Sequence, residues 1–315
     1  MDPYSNRSSE VYSLVSIFCT ASDFIQVLAT GKTQNIEENR LKKAGLLFCG
    51  KVIAELNGVA SCEGTCMDRK VSLVSRAVSR KLVKLGAEAV VVFGSRVRGD
   101  AYEESDIDIH AIGKGISGLE RHHEFLVSIC WMTLMQHRQA FENPSEAGGI
   151  VPAWRNAEII YDPQRIADSL KQEAKSWQWQ HLNKKADKWV AEQVTGYAEE
   201  VHRLIGNIQL GRRSAAAVMR SVLAIRMAQI LAVHCRIFYD TENQLWSLVS
   251  ARMGTEWERL QSVALGEGNQ TFEETYKAAF GLYAFVAGEV KHLLNRQQYQ
   301  VVAHACEIAG HPLKD

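Results

Sequence analysis

Val90-Val91-Val92-Phe93 is a short apolar, β-branched run that stops at Gly94-Ser95. After ten intervening residues comes Asp106-Ile107-Asp108-Ile109-His110, a strict alternation of polar and apolar side chains. A run of this kind predicts a strand buried on both faces. Arg96 to Asp100 reads as a helical turn, with its first amides free to meet an anion. Period-2 alternation puts Asp106, Asp108 and His110 on one face of a second strand and Ile107 and Ile109 on the other.

Same-face neighbours on a strand lie about 7 Å apart at the backbone. Side chains at that spacing can converge on one divalent ion, or on two ions about 4 Å apart. Two such carboxylates repel each other unless a cation neutralises them. Hard oxygen donors with room left for phosphate suit Mg²⁺. Gly94 has no Cβ where a phosphate must approach backbone, and Ser95 offers a hydroxyl and an amide. A lone Asp-x-Asp is usually a solvated hairpin. Here strand, Gly-Ser turn, spacer and alternating carboxylates occur together and in order, which favours a metal and triphosphate site.

Gly-Ser, ten residues and Asp-Ile-Asp resemble the nucleotidyltransferase signature of the DNA polymerase β superfamily, in particular its small-molecule, kanamycin (aminoglycoside) nucleotidyltransferase branch. The resemblance implies that Gly94 and Ser95 hold the triphosphate of ATP or another NTP, and that Asp106 and Asp108 hold Mg²⁺. Arg96 and Arg98 sit where they could meet phosphates, with Arg96 preferred. The family's third carboxylate aligns with the middle of Val127-Ser128-Ile129, so Ser128 is a departure that puts the second metal or the activating base in question. In the helical domain, the family's E-Y-A-G-K stretch aligns with Gly196-Tyr197-Ala198-Glu199-Glu200, which keeps neither the Glu nor the Lys in place. Glu199 is the candidate replacement base and Glu192 an alternative; an exposed i, i+4 ion pair between Glu199 and Arg203 is the plain reading. His234-Cys235-Arg236-Ile237-Phe238-Tyr239-Asp240-Thr241 resembles the family's H-x-R-I-x-Y-x-T stretch. Together these matches span roughly residues 75–295.

Around the motif, Val71, Val74, Val78, Leu82 and Leu85 predict an amphipathic helix over 68–85, capped by Asp68 and stopped at Gly86. Gly113, Gly115 and Gly118 predict a turn, and 124–133 a strand antiparallel to the first. Residues 133–143 read as helix, Asn143-Pro144 and Gly148-Gly149 as a loop, 157–161 as strand and 164–175 as helix. Residues 176–185 link to a second domain. There Val190, Val194, Tyr197, Val201 and Leu204 form one stripe, and the apolar 214–238 predicts a central helix. Thr241, Thr255 and Thr271 each open a capping-box pattern, and a last helix is expected near 296–309. Helices are also expected within 11–29 and 37–57. Cys62 and Cys66 read as ordinary thiols rather than half of a zinc site, because no second ligand pair follows at suitable spacing.

The expectation is an α+β fold: an extension over 1–66, a nucleotidyltransferase-fold mixed sheet with flanking helices over 67–175, and an all-α helical bundle over 186–315. Formal net charge is +0 and pI about 7.1, so no global basic field favours nucleic acid as a partner. Seven cysteines, an odd and irregular set, suit a reducing cytoplasmic setting, and no stretch reads as a membrane span or leader. The expected partners are a nucleoside triphosphate and a small hydroxylated acceptor. Two other readings share the site: a catalytically impaired nucleotide- or partner-binding module, and nucleotidylation of a protein hydroxyl. The oligomeric state stays open, a homodimer included.

Overall fold

The structure is a computed structural model and describes residues 67–313; the helices expected within 11–29 and 37–57 and the Cys62–Cys66 pair lie outside them. Helix α1 (Arg69–Lys84) starts at Asp68, whose carboxylate accepts from the Lys70 amide, as the sequence suggests. It leads into β1 (Ala89–Phe93), the short turn α2 (Ser95–Arg98) and β2 (Ile107–Ile112). Strands β3 (Gly118–His122) and β4 (Phe125–Met132) follow, then helices α3 (Leu134–Phe141) and α4 (Pro144–Asn156), strand β5 (Glu158–Tyr161) and helix α5 (Ile166–Ser176). The five strands form one mixed sheet in the order β3-β4-β2-β1-β5. β1 pairs antiparallel with β2 and β5, β4 runs parallel to β2, and β3 is antiparallel to β4.

Two local expectations are corrected here. Residues 118–122 form a strand rather than part of a turn; Gly-Leu-Glu-Arg-His is polar and mostly exposed at the sheet edge, so it shows no apolar alternation. That extra strand lets β4 return parallel to β2, while it is not bonded to β1. Residues 143–149 are the start of α4, not a loop. Asn143 caps it through the Ser145 amide and Pro144 takes the first helical position. Gly148 and Gly149 serve close approach instead of a turn: a Cβ would meet the Ile237 carbonyl at 2.9 Å from the first and the Tyr239 ring at 2.9 Å from the second.

A 3-10 turn (Trp179–Leu182) leads to α6 (Asn183–Gly196), α7 (Ala198–Gln209), α8 (Arg213–His234), α9 (Glu242–Met253), α10 (Thr255–Leu265), α11 (Phe272–Val290) and α12 (Arg296–Ile308). The stripe from Val190 to Leu204 is split between α6 and α7 at Gly196-Tyr197, where a poor helix former ends the first helix. Thr271 makes its capping box with Glu274, and Thr241 caps α9. Thr255 is already inside α10, whose cap is Gly254 at φ +88°. α8 is long and apolar enough to cross a membrane by length and composition. It packs against α6, α7 and α11, and Leu223, Met227, Ala228 and Leu231 are buried there.

The two faces of the sheet enter different cores. Val90, Val92, Ile107, Ile109, Val127 and Ile129 pack against Val71, Val78 and Leu82 of α1. Ala89, Val91, Phe93 and Ile112 join a second core that continues through Phe141 and Trp154 into Val190, Leu231 and Tyr283 of the bundle. The Tyr283 hydroxyl donates to the Val194 carbonyl at 3.0 Å and ties α11 to α6 inside that core.

Candidate active site

The second face of the sheet is where apolar cover is interrupted. Asp108 faces it, with Phe93 opposite on β1 and Ser128 opposite on β4. Parallel register partners project the same way, so Ser128 stands beside Asp108 at the position where the sequence pattern expects a third carboxylate. Gly94 follows Phe93 directly and has φ +82°. A Cβ built on Gly94 would collide with Oδ2 of Asp108, so the carboxylate lies directly against this glycine. The motif glycine is thus required twice, by a backbone angle that L side chains rarely adopt and by the space its neighbour fills.

Burial raises the Asp108 carboxyl to about 7, the nearby charge of Asp106 adds to the rise, and Arg98 opposes it. A carboxylate held this way is one that a cation would readily compensate. Asp106 is half-buried and ends the loop before β2. Ser95 opens α2 and is half-buried. Gly94, Ser95, Asp106 and Asp108 therefore come together at one end of the β1–β2 pair.

The two arginines divide differently from the sequence expectation. Arg96 donates to the carbonyls of Glu103 (2.8 Å) and Ser105 (2.7 and 3.2 Å), and its guanidinium lies 5.2 Å from the centroid of Phe125. It fastens the loop that delivers Asp106. The Tyr102 amide tightens the same loop by donating to Ser105 Oγ at 3.0 Å. Arg98 is the cation whose charge reaches Asp108. It donates to the Asp240 carbonyl at 3.3 Å and to Asp100 at 3.2 Å, and its Nε is buried with no hydrogen-bond partner. Asn156 also donates to the Asp240 carboxylate at 3.0 Å. The 234–241 stretch thus reaches the site from the helical half of the chain, a contact that no local pattern around Arg98 announces.

Glu199 does not join this group. It is exposed on α7 and pairs with Arg203 one turn later at 2.6 Å, which is the plain ion-pair arrangement. Glu192 is likewise exposed, 3.7 Å from Lys188.

Residues 73–130 match the family described as nucleotidyltransferase domain. The chain carries a nucleotidyltransferase domain. With it the chain is an enzyme of the nucleotidyltransferase class, and nucleotidyl transfer is the activity of that class. No curated protein matches the sequence. Among solved structures, a nucleotidyltransferase-like protein from Exiguobacterium sibiricum is similar at a TM-score of 0.44 and 10% identity, over 76% of this chain and 77% of that one.

Beneath the motif lies a pair of imidazoles that sequence reasoning did not connect. His110 on β2 and His137 on α3 have ring centroids 5.8 Å apart, and Phe93 and Trp154 pack edge-on against them. Burial lowers His110 to about 3, with a smaller contribution from His137, and burial lowers His137 to about 4. Both are neutral at ordinary pH and form an aromatic floor behind Asp108. Only the alternation Asp106-Asp108-His110 signalled one of them; His137 shows no sequence signal.

The domain's donor set can be tested against a divalent ion. Among the described residues no cluster of three or more His, Cys, Asp or Glu is assembled. The two carboxylates are hard oxygen donors, and the raised proton affinity of Asp108 marks uncompensated negative charge. A pair of this kind fits a hard cation whose remaining ligands are phosphate oxygens and water.

Proposed function

We propose that the protein transfers a nucleoside monophosphate group from a nucleoside triphosphate, ATP favoured, to a hydroxyl of a small acceptor, releasing pyrophosphate. The acceptor we favour is polyhydroxylated and aminoglycoside-like, following the kanamycin-type resemblance of the Gly94–Asp108 and 234–241 stretches. The observation that carries the reading is the seating of the Asp108 carboxylate against Gly94, which joins the Gly-Ser turn and the carboxylate pair at one point.

In this reading Asp106 and Asp108 hold Mg²⁺. When bound, Mg²⁺ supplies positive charge against the α-phosphate and the departing pyrophosphate. Gly94 lets phosphate oxygens approach the backbone, and Ser95 offers them an amide and a hydroxyl. Arg98 adds a fixed positive charge beside the pair, held in place by the Asp240 carbonyl. Arg96 acts indirectly, by fixing the 103–105 loop and so the position of Asp106. The neutral His110–His137 floor excludes water from behind Asp108 and keeps its carboxylate poorly solvated.

The test is pyrophosphate release from each of the four ribonucleoside triphosphates with Mg²⁺, with and without an aminoglycoside panel, using Asp108→Asn as the blank. Acceptor-dependent release above the blank is expected, largest with ATP. Labelled nucleotide appearing on protein instead of a small molecule would overturn the acceptor. Absence of both release and nucleotide binding would overturn the reading itself.

A further inference from the structure

A cavity of about 900 Å³, none of whose lining residues belongs to the Gly94–Asp108 site, opens where the end of α4 meets the 177–183 link and the 236–238 stretch. Its aromatic part is Trp177, Trp179 and Phe238. The Trp177 ring centroid lies 5.2 Å from that of Trp179 and 5.8 Å from that of Phe238. Cations sit over this cluster: Arg155 is 4.6 Å from the Phe238 centroid and Arg236 is 5.9 Å from that of Trp179. Lys175, exposed, also lines the cavity, and no lining residue is acidic.

These cations are not equivalent. Arg236 is neutralised by Asp187 at 2.6 Å and further held by Asn183. Arg155 donates to the carbonyls of Ala174 (2.9 Å) and Trp177 (2.8 Å), bonds that fix its position and leave its charge uncancelled. Beside them, the Trp179 ring is only 6% exposed and its indole N–H is buried with no acceptor. The cavity is therefore lined by the Trp179 ring and not by its N–H. Packing accounts for where Arg155 and Trp179 sit. It does not account for two uncancelled positive charges around a large cavity without a carboxylate.

We infer that this cavity binds a small organic phosphate. A phosphate monoester is a dianion above a pKa of about 6, which matches the charges of Arg155 and Lys175. Gln178, Gln180 and Asn183 present amides to the hydroxylated body of the ligand. The inference does not depend on nucleotidyl transfer, because the cavity and the Gly94–Asp108 site share no residue.

The experiment is nitrogen-15 NMR of the indole N–H groups in the full chain, with Trp179→Phe identifying the Trp179 resonance. Ribose 5-phosphate, AMP, inorganic phosphate and ribose are each titrated to about 10 mM. The Trp179 signal is expected to move saturably with the two phosphate esters. Inorganic phosphate should bind at least about tenfold more weakly and ribose should leave the signal unmoved. Lys175→Glu, an exposed substitution that leaves the core intact, should weaken ester binding at least about tenfold. The same titration in Asp108→Asn should be unchanged, which separates this site from nucleotide held at the carboxylate pair. A Trp179 signal that neither ester moves, or affinity equal in Lys175→Glu, would overturn the proposal.

Discussion

The two faces of one sheet have opposite fates. On the α1 side, Val90, Val92, Ile107 and Ile109 are all buried, and a single amphipathic helix is enough to cover them. On the bundle side the same two strands alternate apolar anchors with Asp108 and His110, and the cover comes from α3, α4 and α5, through which the core runs on into the bundle. Adjacent residues of β2 therefore do different work. Ile109 supplies burial, while Asp108 carries a charge that burial penalises. A polar group is tolerated there because the opposite face of the same strand supplies the compensating hydrophobic burial.

The strongest attack on this contrast is Asp108→Asn. It should lower nucleotidyl transfer on the order of 10³-fold while leaving the circular dichroism spectrum and melting transition intact. Unfolding of that variant would make Asp108 a structural residue and erase the difference between the faces. Gly94→Ala comes next. The added Cβ meets Asp108 and demands an unfavourable backbone angle, so activity should fall on the order of 10²-fold. Ile109→Ala is the mirror experiment: about 2–5 kcal/mol of stability lost in denaturant unfolding, with kcat of the remaining folded protein largely kept.

A pH titration sharpens the same point. The Asp108 carboxyl is raised in the folded state from an ordinary 3.8 to about 7. The folded chain therefore holds that proton where the unfolded chain has released it, and stability falls as pH rises between these values. In chelator-treated protein, the decline between about pH 4 and pH 7 should be shallower in Asp108→Asn. The smallest effect is expected from Glu199→Gln, on the exposed face of α7. Transfer should stay within about twofold and stability within about 0.5 kcal/mol of the parent protein.

Much of this could be read from residue pattern. The buried β1 run, the capped α1 and the β2 alternation depend on short-range spacing, and each lies within a residue or two of its expected place. What escaped depends on distant partners. β3 is a polar edge strand that only the presence of β4 defines. Gly148 and Gly149 look like a loop until Tyr239 is seen against them. Arg96 and Arg98 are chemically identical in sequence. Carbonyls at 103 and 105 and at 240 decide which one braces a loop and which one faces the carboxylate pair. Glu199 had a register on a helix face but no means of showing which way that face would turn.

The contact between Arg98 and Asp240 spans 142 positions of the chain. During synthesis, the β1 and β2 strands leave the ribosome long before the residue that steadies Arg98 exists. The bundle-side face of the sheet meanwhile waits for α3, α4 and α5, which in turn share their core with the bundle that follows. The α1 side can be closed by a segment that precedes the strands, so one half of the sheet is protected as it emerges and the other stays bare until residues 134–176 have followed. Nascent chains stalled before residue 134 should therefore present an apolar, strand-bearing surface to chaperones, and catalytic competence should wait until residue 240 has emerged.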